Sequence, residues 1–297
     1  MINEFVAYTK LDPEALKLVE EIYERIKNSP ELESVLEQFR NKETDYLGLQ
    51  GQIIEYAGKL GVEGYTLCLV MVCAGLPVMK ENYDKLSVSQ KIFEDSVADV
   101  SCKADECKKF HGMWGISCFP WYKGFFNGER FAIGRFQYEE KQFFGEKYEY
   151  NNVCFTNEDK VVGFHIPSGS RMDVSDMKKS LALAYEHFYD KYNKDGVMLI
   201  TCSSWLLYPK HGELYADGSN LRKFYDLFDV LSFGMYEKFV NCWRVFNTHD
   251  YSDPDKLPQN TSLQRAFVKY IKDGGDFGYG NGVIPIDEKK YKEFLNG

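Results

Sequence analysis

The chain has 297 residues, of which 44% are hydrophobic and 16% aromatic, and carries a formal net charge of −9. That is enough apolar sequence for one large core or two smaller ones, with no long Pro- or Ser-rich tract to act as a disordered linker. An acidic surface of this size repels nucleic acid and anionic lipid, so neither is an expected partner, and an anionic cofactor has to be met by local donors.

No run of about 18 apolar residues occurs, and the best candidate, Leu67–Val72, is far too short to span a bilayer. MINEFVAYTK lacks the charged-then-apolar layout of a secretory signal, so the expected compartment is the cytoplasm. The eight cysteines lie mostly inside apolar segments and are expected as free thiols. Cys102, Cys107, His111 and Cys118 are spaced C-x4-C-x3-H-x6-C, which fits no common structural zinc pattern, and no metal is expected.

The first part of the chain reads as helices. Asp12-Pro13-Glu14 is an N-cap, a proline at the first helical position and an acid in the first turn, and Leu16, Val19, Tyr23 and Ile26 follow at helical spacing. Pro30–Phe39 and Leu47–Leu60 predict two further helices, Tyr65–Cys73 a buried one, and Val78–Ala98 a weaker amphipathic one. Lys103–Lys109 reads as a solvated face. Six aromatic residues between Trp114 and Phe126, interrupted by glycines, predict a junction between domains, with a helical unit at 1–113 and a second unit at 114–297.

From Arg130 the period becomes strand-like, predicting strands around Phe131–Tyr138, Tyr148–Val153 and Val161–Ile166 in an antiparallel meander. Pro167 ends the last of these, Ser168-Gly169-Ser170 forms a tight loop, and Ser175 is the expected N-cap of a helix to Tyr192, with Asp176 in its first turn. A glycine loop opening a helix offers backbone N–H groups to a phosphate. Val197–Cys202 completes a βαβ unit, so His165 and Cys202–Trp205 are expected at the same edge of a parallel pair, where ligands of open α/β sheets collect. Beyond it, Ser219 caps a helix with Tyr225, Val230–Met235 and Trp243–Phe246 read as strands, Leu257–Ile271 as a helix, and Gly274–Gly282 as a glycine-rich loop. The fold class is α+β.

RFAIGRFQYE (130–139), FHIPSGS (164–170), SSWLLYP (203–209) and GSNLRKF (218–224), in this order, resemble bacterial acyltransferase domain-containing proteins that join a helical N-terminal domain to a GNAT-like C-terminal domain. The resemblance covers essentially the whole chain. It implies a GNAT-like mixed sheet with flanking helices, and transfer of an acyl group from acyl-CoA, with acetyl-CoA as the reference donor, to an amine of a small molecule or peptide. In the superfamily, the loop after the central strand holds the pyrophosphate through a Gln/Arg-x-x-Gly-x-Gly/Ala pattern. Here that loop is Pro167–Val174, where only Gly169 fits: Ile166 stands for Gln or Arg, and Arg171 for a small residue. The resemblance therefore implies cofactor contacts at Ile166, Pro167, Ser168, Gly169, Ser170 and Arg171, with Ser204 and Trp205 from the neighbouring strand.

Direct transfer needs a base, oxyanion donors and an acid for the departing thiolate. His165 at the end of the central strand is the first base candidate and Glu139, closing the FQYE strand, the second. The resemblance puts a general-acid tyrosine at Tyr225. Two rivals remain open at this point: a non-catalytic acyl-CoA-binding module, and a Cys202–His165 nucleophilic pair.

Overall fold

The structure, a computed structural model, describes residues 2–169 and 171–296. Two compact units account for it, Met1–Glu139 with Ile166–Gly169, and Glu140–His165 with Ser170–Gly297.

The first unit is built from α1 (Pro13–Ile26), α2 (Pro30–Arg40), α3 (Tyr46–Leu60), α4 (Gly64–Lys85), α5 (Gln90–His111) and α6 (Tyr122–Phe126), followed by strands β1 (Arg130–Ile133) and β2 (Phe136–Gln142), the latter running past the end of the unit. Asp12 caps α1 by accepting from the Glu14 N–H at 2.8 Å, and Ser29 caps α2 through the Leu32 N–H at 3.2 Å. Helix α4 is long and apolar enough to cross a membrane, yet it is a core helix, 72% buried across its apolar window. Pro77 inside it has no N–H to give the Cys73 carbonyl four residues earlier, and Asn3 Nδ2 donates to that carbonyl at 2.9 Å instead.

The compositional change between residues 113 and 114 falls within this unit, because the aromatic segment packs onto the helices. Phe126 stacks on Phe39 at 4.2 Å and Phe119 on Tyr46 at 5.7 Å. The Tyr83 hydroxyl donates to the Arg130 carbonyl at 3.1 Å, and the Ala132 N–H donates to Ser96 Oγ at 2.9 Å. Lys103–Lys109 is likewise not simply a solvated face. Lys103 is largely buried, ion-paired to Glu106 at 3.1 Å and 5.8 Å above the Trp121 ring. Asp99, one turn earlier, is buried and accepts from Gln137 Nε2 at 2.7 Å; burial pushes its carboxyl up, which Lys103 opposes.

The second unit contains the hairpin β3 (Lys147–Tyr150) and β4 (Val153–Thr156), then β5 (Lys160–His165), α7 (Val174–Tyr192), β6 (Asn193–Lys194), β7 (Val197–Ser204), α8 (Pro209–Gly212), α9 (Asn220–Tyr225), β8 (Asp229–Tyr236), α10 (Cys242–Phe246), α11 (Ser262–Lys272), β9 (Phe277–Ile286) and α12 (Glu288–Leu295). Strands β5, β7, β9 and β8 lie side by side in that order, parallel between β5 and β7 and antiparallel thereafter, with β6 paired to β7. The β3–β4 hairpin lies over one face, where Val153, Phe155 and Phe143 pack on Val161, Leu199 and Val283.

The strand pattern is thus finer than the sequence predicts. The first predicted strand is a hairpin that turns at Gly134, and the second is a hairpin whose tip, Asn151 and Asn152, has both φ values positive, 48° and 66°, as a type I′ turn requires. Trp243–Phe246 is not a strand. Cys242, Val245 and Phe246 are buried at helical spacing, on α10. Gly274–Gly282 is not a loop either: most of it belongs to β9, between β7 and β8. Its glycines are dictated by close approach, since a Cβ on Gly280 would stand 2.0 Å from the Leu207 carbonyl oxygen of the 3-10 turn Trp205–Leu207.

Candidate active site

Strands β5 and β7 carry the candidate site. Their ladder covers two pairs, Val162 with Ile200 and Gly163 with Thr201. Strand β7 runs on to Ser204 against β9, where Cys202 pairs with Gly282, Ser203 with Asn281 and Ser204 with Gly280. The parallel ladder ends at Gly163 and Thr201, and strand ends beyond a parallel ladder can offer backbone donors and acceptors to an extended ligand.

His165 is the last residue of β5 and is half-buried. Alternation along β5 puts it on the face of Val161 and Gly163, while Phe164 on the other face packs against Phe224 at 6.1 Å and Phe228 at 5.8 Å. His165 and Ser204 therefore share one end of the βαβ unit but project from opposite faces.

The loop that follows begins at Ile166. Arg135 Nη1 donates to the Pro167 carbonyl at 3.0 Å. Ile166, Pro167 and Ser168 are half-buried and Gly169 is exposed, with φ of 98°, a conformation that disfavours every side chain. The expected contact at Ser170 lies outside the described residues. Arg171 is exposed. The N-cap of helix α7 lies two residues earlier than the sequence suggests: it is Asp173, not Ser175, and the Asp173 side chain does not cap the first turn. Asp173 Oδ1 instead accepts from Asn220 Nδ2 at 3.2 Å, tying the start of α9 to the start of α7. First-turn N–H groups that Asp173 leaves uncapped, with Arg171, Lys178 and Lys179 close in sequence, suit an anion in an otherwise acidic chain.

The other expected residues divide. Ser204 Oγ accepts from the Leu206 N–H at 3.2 Å and caps the 3-10 turn. The Trp205 ring, expected as a cofactor contact, packs instead into an aromatic cluster with Phe239, Phe267 and His211. Its carbonyl accepts from His211 Nδ1 at 2.8 Å, which fixes the proton on that nitrogen. His211 itself is fully buried, and burial pushes its pKa down to about 4. The sequence reading missed it; only its position six residues after Trp205, in a segment rich in aromatic residues, hinted at it.

Glu139 is not an available base. It is buried within β2, which continues to Gln142, and it faces Arg130 on β1, whose Nη2 donates to Glu139 Oε2 at 2.5 Å. Tyr225, half-buried at the end of α9, has its ring over Gly212 and 4.8 Å from the Arg222 guanidinium. Burial raises its pKa, which Arg222 opposes, and among the described residues nothing hydrogen-bonds its hydroxyl. Cys202 is buried, burial pushes its thiol well up, and it is a poor nucleophile. Among the described residues no group of His, Cys, Asp and Glu is arranged to hold a metal.

Comparison with known proteins gives two family matches. Residues 1–128 match the N-acyltransferase N-terminal domain, and residues 131–284 match the GNAT-like C-terminal domain. No curated protein matches the sequence. Similar solved structures include an acyltransferase in complex with decanoyl-CoA and teicoplanin, 15% identical, covering 94% of this chain and 86% of that one with a TM-score of 0.71. A mutant acyltransferase in complex with octanoyl-CoA has 15% identity, covers 95% and 86%, and has a TM-score of 0.71. A further acyltransferase in complex with decanoyl-CoA has 17% identity, covers 94% and 85%, and has a TM-score of 0.68. At these identities the likeness is one of fold.

Proposed function

This chain belongs to the family that joins an N-acyltransferase N-terminal domain to a GNAT-like C-terminal domain, and is an acyl-CoA-dependent acyltransferase; we propose that it moves a medium-length acyl group directly onto an amine, with His165 as the base. The observation that carries the proposal is the end of the β5–β7 ladder at Gly163 and Thr201, with α7 beginning at Val174 and Asp173 leaving its first turn uncapped. The unpaired backbone at the strand ends suits the pantetheine chain, and the first turn of α7 with Arg171 suits the pyrophosphate. Medium length is supported by the octanoyl-CoA and decanoyl-CoA bound to the similar structures.

In the reaction the amine nitrogen attacks the thioester carbonyl, the C–N bond forms and the C–S bond breaks. His165 takes the proton the nitrogen loses, directly or through a water. Tyr225, kept protonated by its raised pKa, supplies a proton to the CoA thiolate. The products are an amide and free CoA. Glu139 and Cys202 have no part in it, the first being committed to Arg130 and the second being buried.

The test pairs binding with turnover. Octanoyl-CoA at a hundred times its dissociation constant stabilises a true binder by about 2.7 kcal/mol, and the same titration with acetyl-CoA and decanoyl-CoA ranks the donors. His165→Gln is expected to lower amine-dependent CoA release by roughly 10²–10⁴ while leaving donor affinity within a few-fold. Undiminished turnover in that variant removes His165 from the chemistry. Binding without release in the unmodified chain, across a panel of amines, leaves the acyl-CoA-binding module that the altered phosphate loop suggests.

A further inference from the structure

The sheet face that carries His165 is covered at one end by the β3–β4 hairpin and open at the other. At the open end, Ser203, Asn281 and Ser232 are aligned across β7, β9 and β8 by the ladder itself, Ser203 opposite Asn281 and Asn281 opposite Ser232. Residues directly opposite one another in a sheet project from the same face, and neighbouring strands are about 4.8 Å apart, so the row is on the order of 10 Å long. His165 and Ser203 each stand two residues beyond the paired Gly163 and Thr201, so alternation along the two strands puts them on that same face.

The row is uncharged and open to solvent. Ser203 and Ser232 are exposed and Asn281 is half-buried. Asn281 Nδ2 donates to Ser232 Oγ at 3.0 Å, which orients the carboxamide and leaves the Ser232 O–H free to donate. Among the described residues nothing bonds Asn281 Oδ1 or Ser203 Oγ, so both remain available to a ligand. Just past the row on the same face, the Tyr279 ring lies across Gly234, where a Cβ would stand 2.7 Å from the ring, and Tyr236 is beside it at 5.3 Å. An aromatic pair, its rings tilted at 35°, next to a hydroxyl–carboxamide–hydroxyl row suits a molecule with an apolar face and neutral hydrogen-bonding groups at its edge.

We propose that Ser203, Asn281 and Ser232, backed by Tyr279 and Tyr236, are the acceptor-recognition surface, reading an uncharged hydrogen-bonding group carried beside the reacting amine. Hydroxyls on a ring and an amide both supply that chemistry. The proposal rests on the assignment of His165 as the base, since that is what makes this open face the acceptor side.

The experiment uses D-glucosamine, glycinamide and cyclohexylamine as probes on the full chain. Their binding is followed by ligand-observed NMR in the presence of CoA, which permits no transfer, and CoA release from octanoyl-CoA is measured separately. Glucosamine or glycinamide is expected to bind at least tenfold more tightly than cyclohexylamine, and which of the two does so identifies the source of the group. Asn281→Ala should erase that preference, as should Asn281→Thr, which keeps a strand-forming residue in β9. Ser203→Ala and Ser232→Ala should each reduce it several-fold, with octanoyl-CoA affinity and melting temperature unchanged. No preference in the unmodified chain, or one that survives both Asn281 variants, overturns the proposal. Binding that follows these expectations without any CoA release sinks the transfer reading and leaves the recognition surface standing.

Discussion

Arg130 and Glu139 are directly opposed across the β1–β2 hairpin, joined Nη2 to Oε2 at 2.5 Å, and the guanidinium carbon lies 3.5 Å from the centre of the Trp121 ring. The guanidinium also donates from Nη1 to the Trp121 carbonyl at 2.7 Å. Arginine suits this position because its planar fork can pair with a carboxylate and stack on an aromatic ring at once. Removing one member of a buried pair strands the other, so Glu139→Gln is expected to cost about 3–5 kcal/mol in chemical denaturation. Specific activity of the protein that remains folded should change little, and a hundredfold fall in kcat at unchanged stability would return the base role to Glu139.

Gly169 is expected to be sensitive for a backbone reason. With φ at 98° it adopts a conformation that side chains disfavour, and Gly169→Ala should cost roughly 1–3 kcal/mol although a Cβ there has room, its nearest neighbour being Cys102 Sγ at 3.8 Å. A β-branched replacement is worse, so exposure of the loop does not make it tolerant. An Ala variant as stable as the unmodified chain contradicts this.

Cys202 should be the inert thiol that its burial makes it. Iodoacetamide at neutral pH is expected to label half-buried Cys154 well before Cys202, as read by peptide mass spectrometry. Cys202→Ala should retain turnover and cost on the order of 1 kcal/mol of stability. Loss of turnover in that variant at unchanged stability revives the nucleophilic pair.

His211 makes stability depend on pH. Its pKa is about 4 in the folded chain, below the ordinary value of 6.5, so between these values the unfolded chain binds the extra proton. The stability that neutral His211 contributes is fully present above about pH 6.5 and is lost as pH falls towards 4, by roughly 3 kcal/mol in all. Denaturation midpoints at pH 7 and pH 4.5 should differ by much less in His211→Asn, which keeps a donor for the Trp205 carbonyl. An equal pH slope in both proteins would show that His211 is not the titrating group.

Much of this organisation is legible in the chain. Helix α1 follows from Asp12-Pro13 and its apolar spacing, the first half of α4 from the apolar run Tyr65–Cys73, and the βαβ unit from two buried runs separated by one amphipathic helix, because each depends on contacts within a few residues. The helix expected at Val78–Ala98 is instead the end of α4 and the start of α5, broken between Lys85 and Gln90. The four motifs between Arg130 and Phe224 were sufficient to indicate the family and the acyl-CoA chemistry. What only the tertiary structure decided depends on partners distant in sequence. Glu139 looks like a strand-end acid until Arg130 is folded against it, and Trp205 looks like a cofactor contact until His211 and Phe267 close around it. The glycines of β9 look like a loop until the Leu207 carbonyl approaches them, since a glycine chosen for close packing and one chosen for flexibility are the same letter. The Ser203–Asn281–Ser232 row has no sequence signature at all: strand register, which is a property of the folded sheet, puts residues from three separate segments side by side.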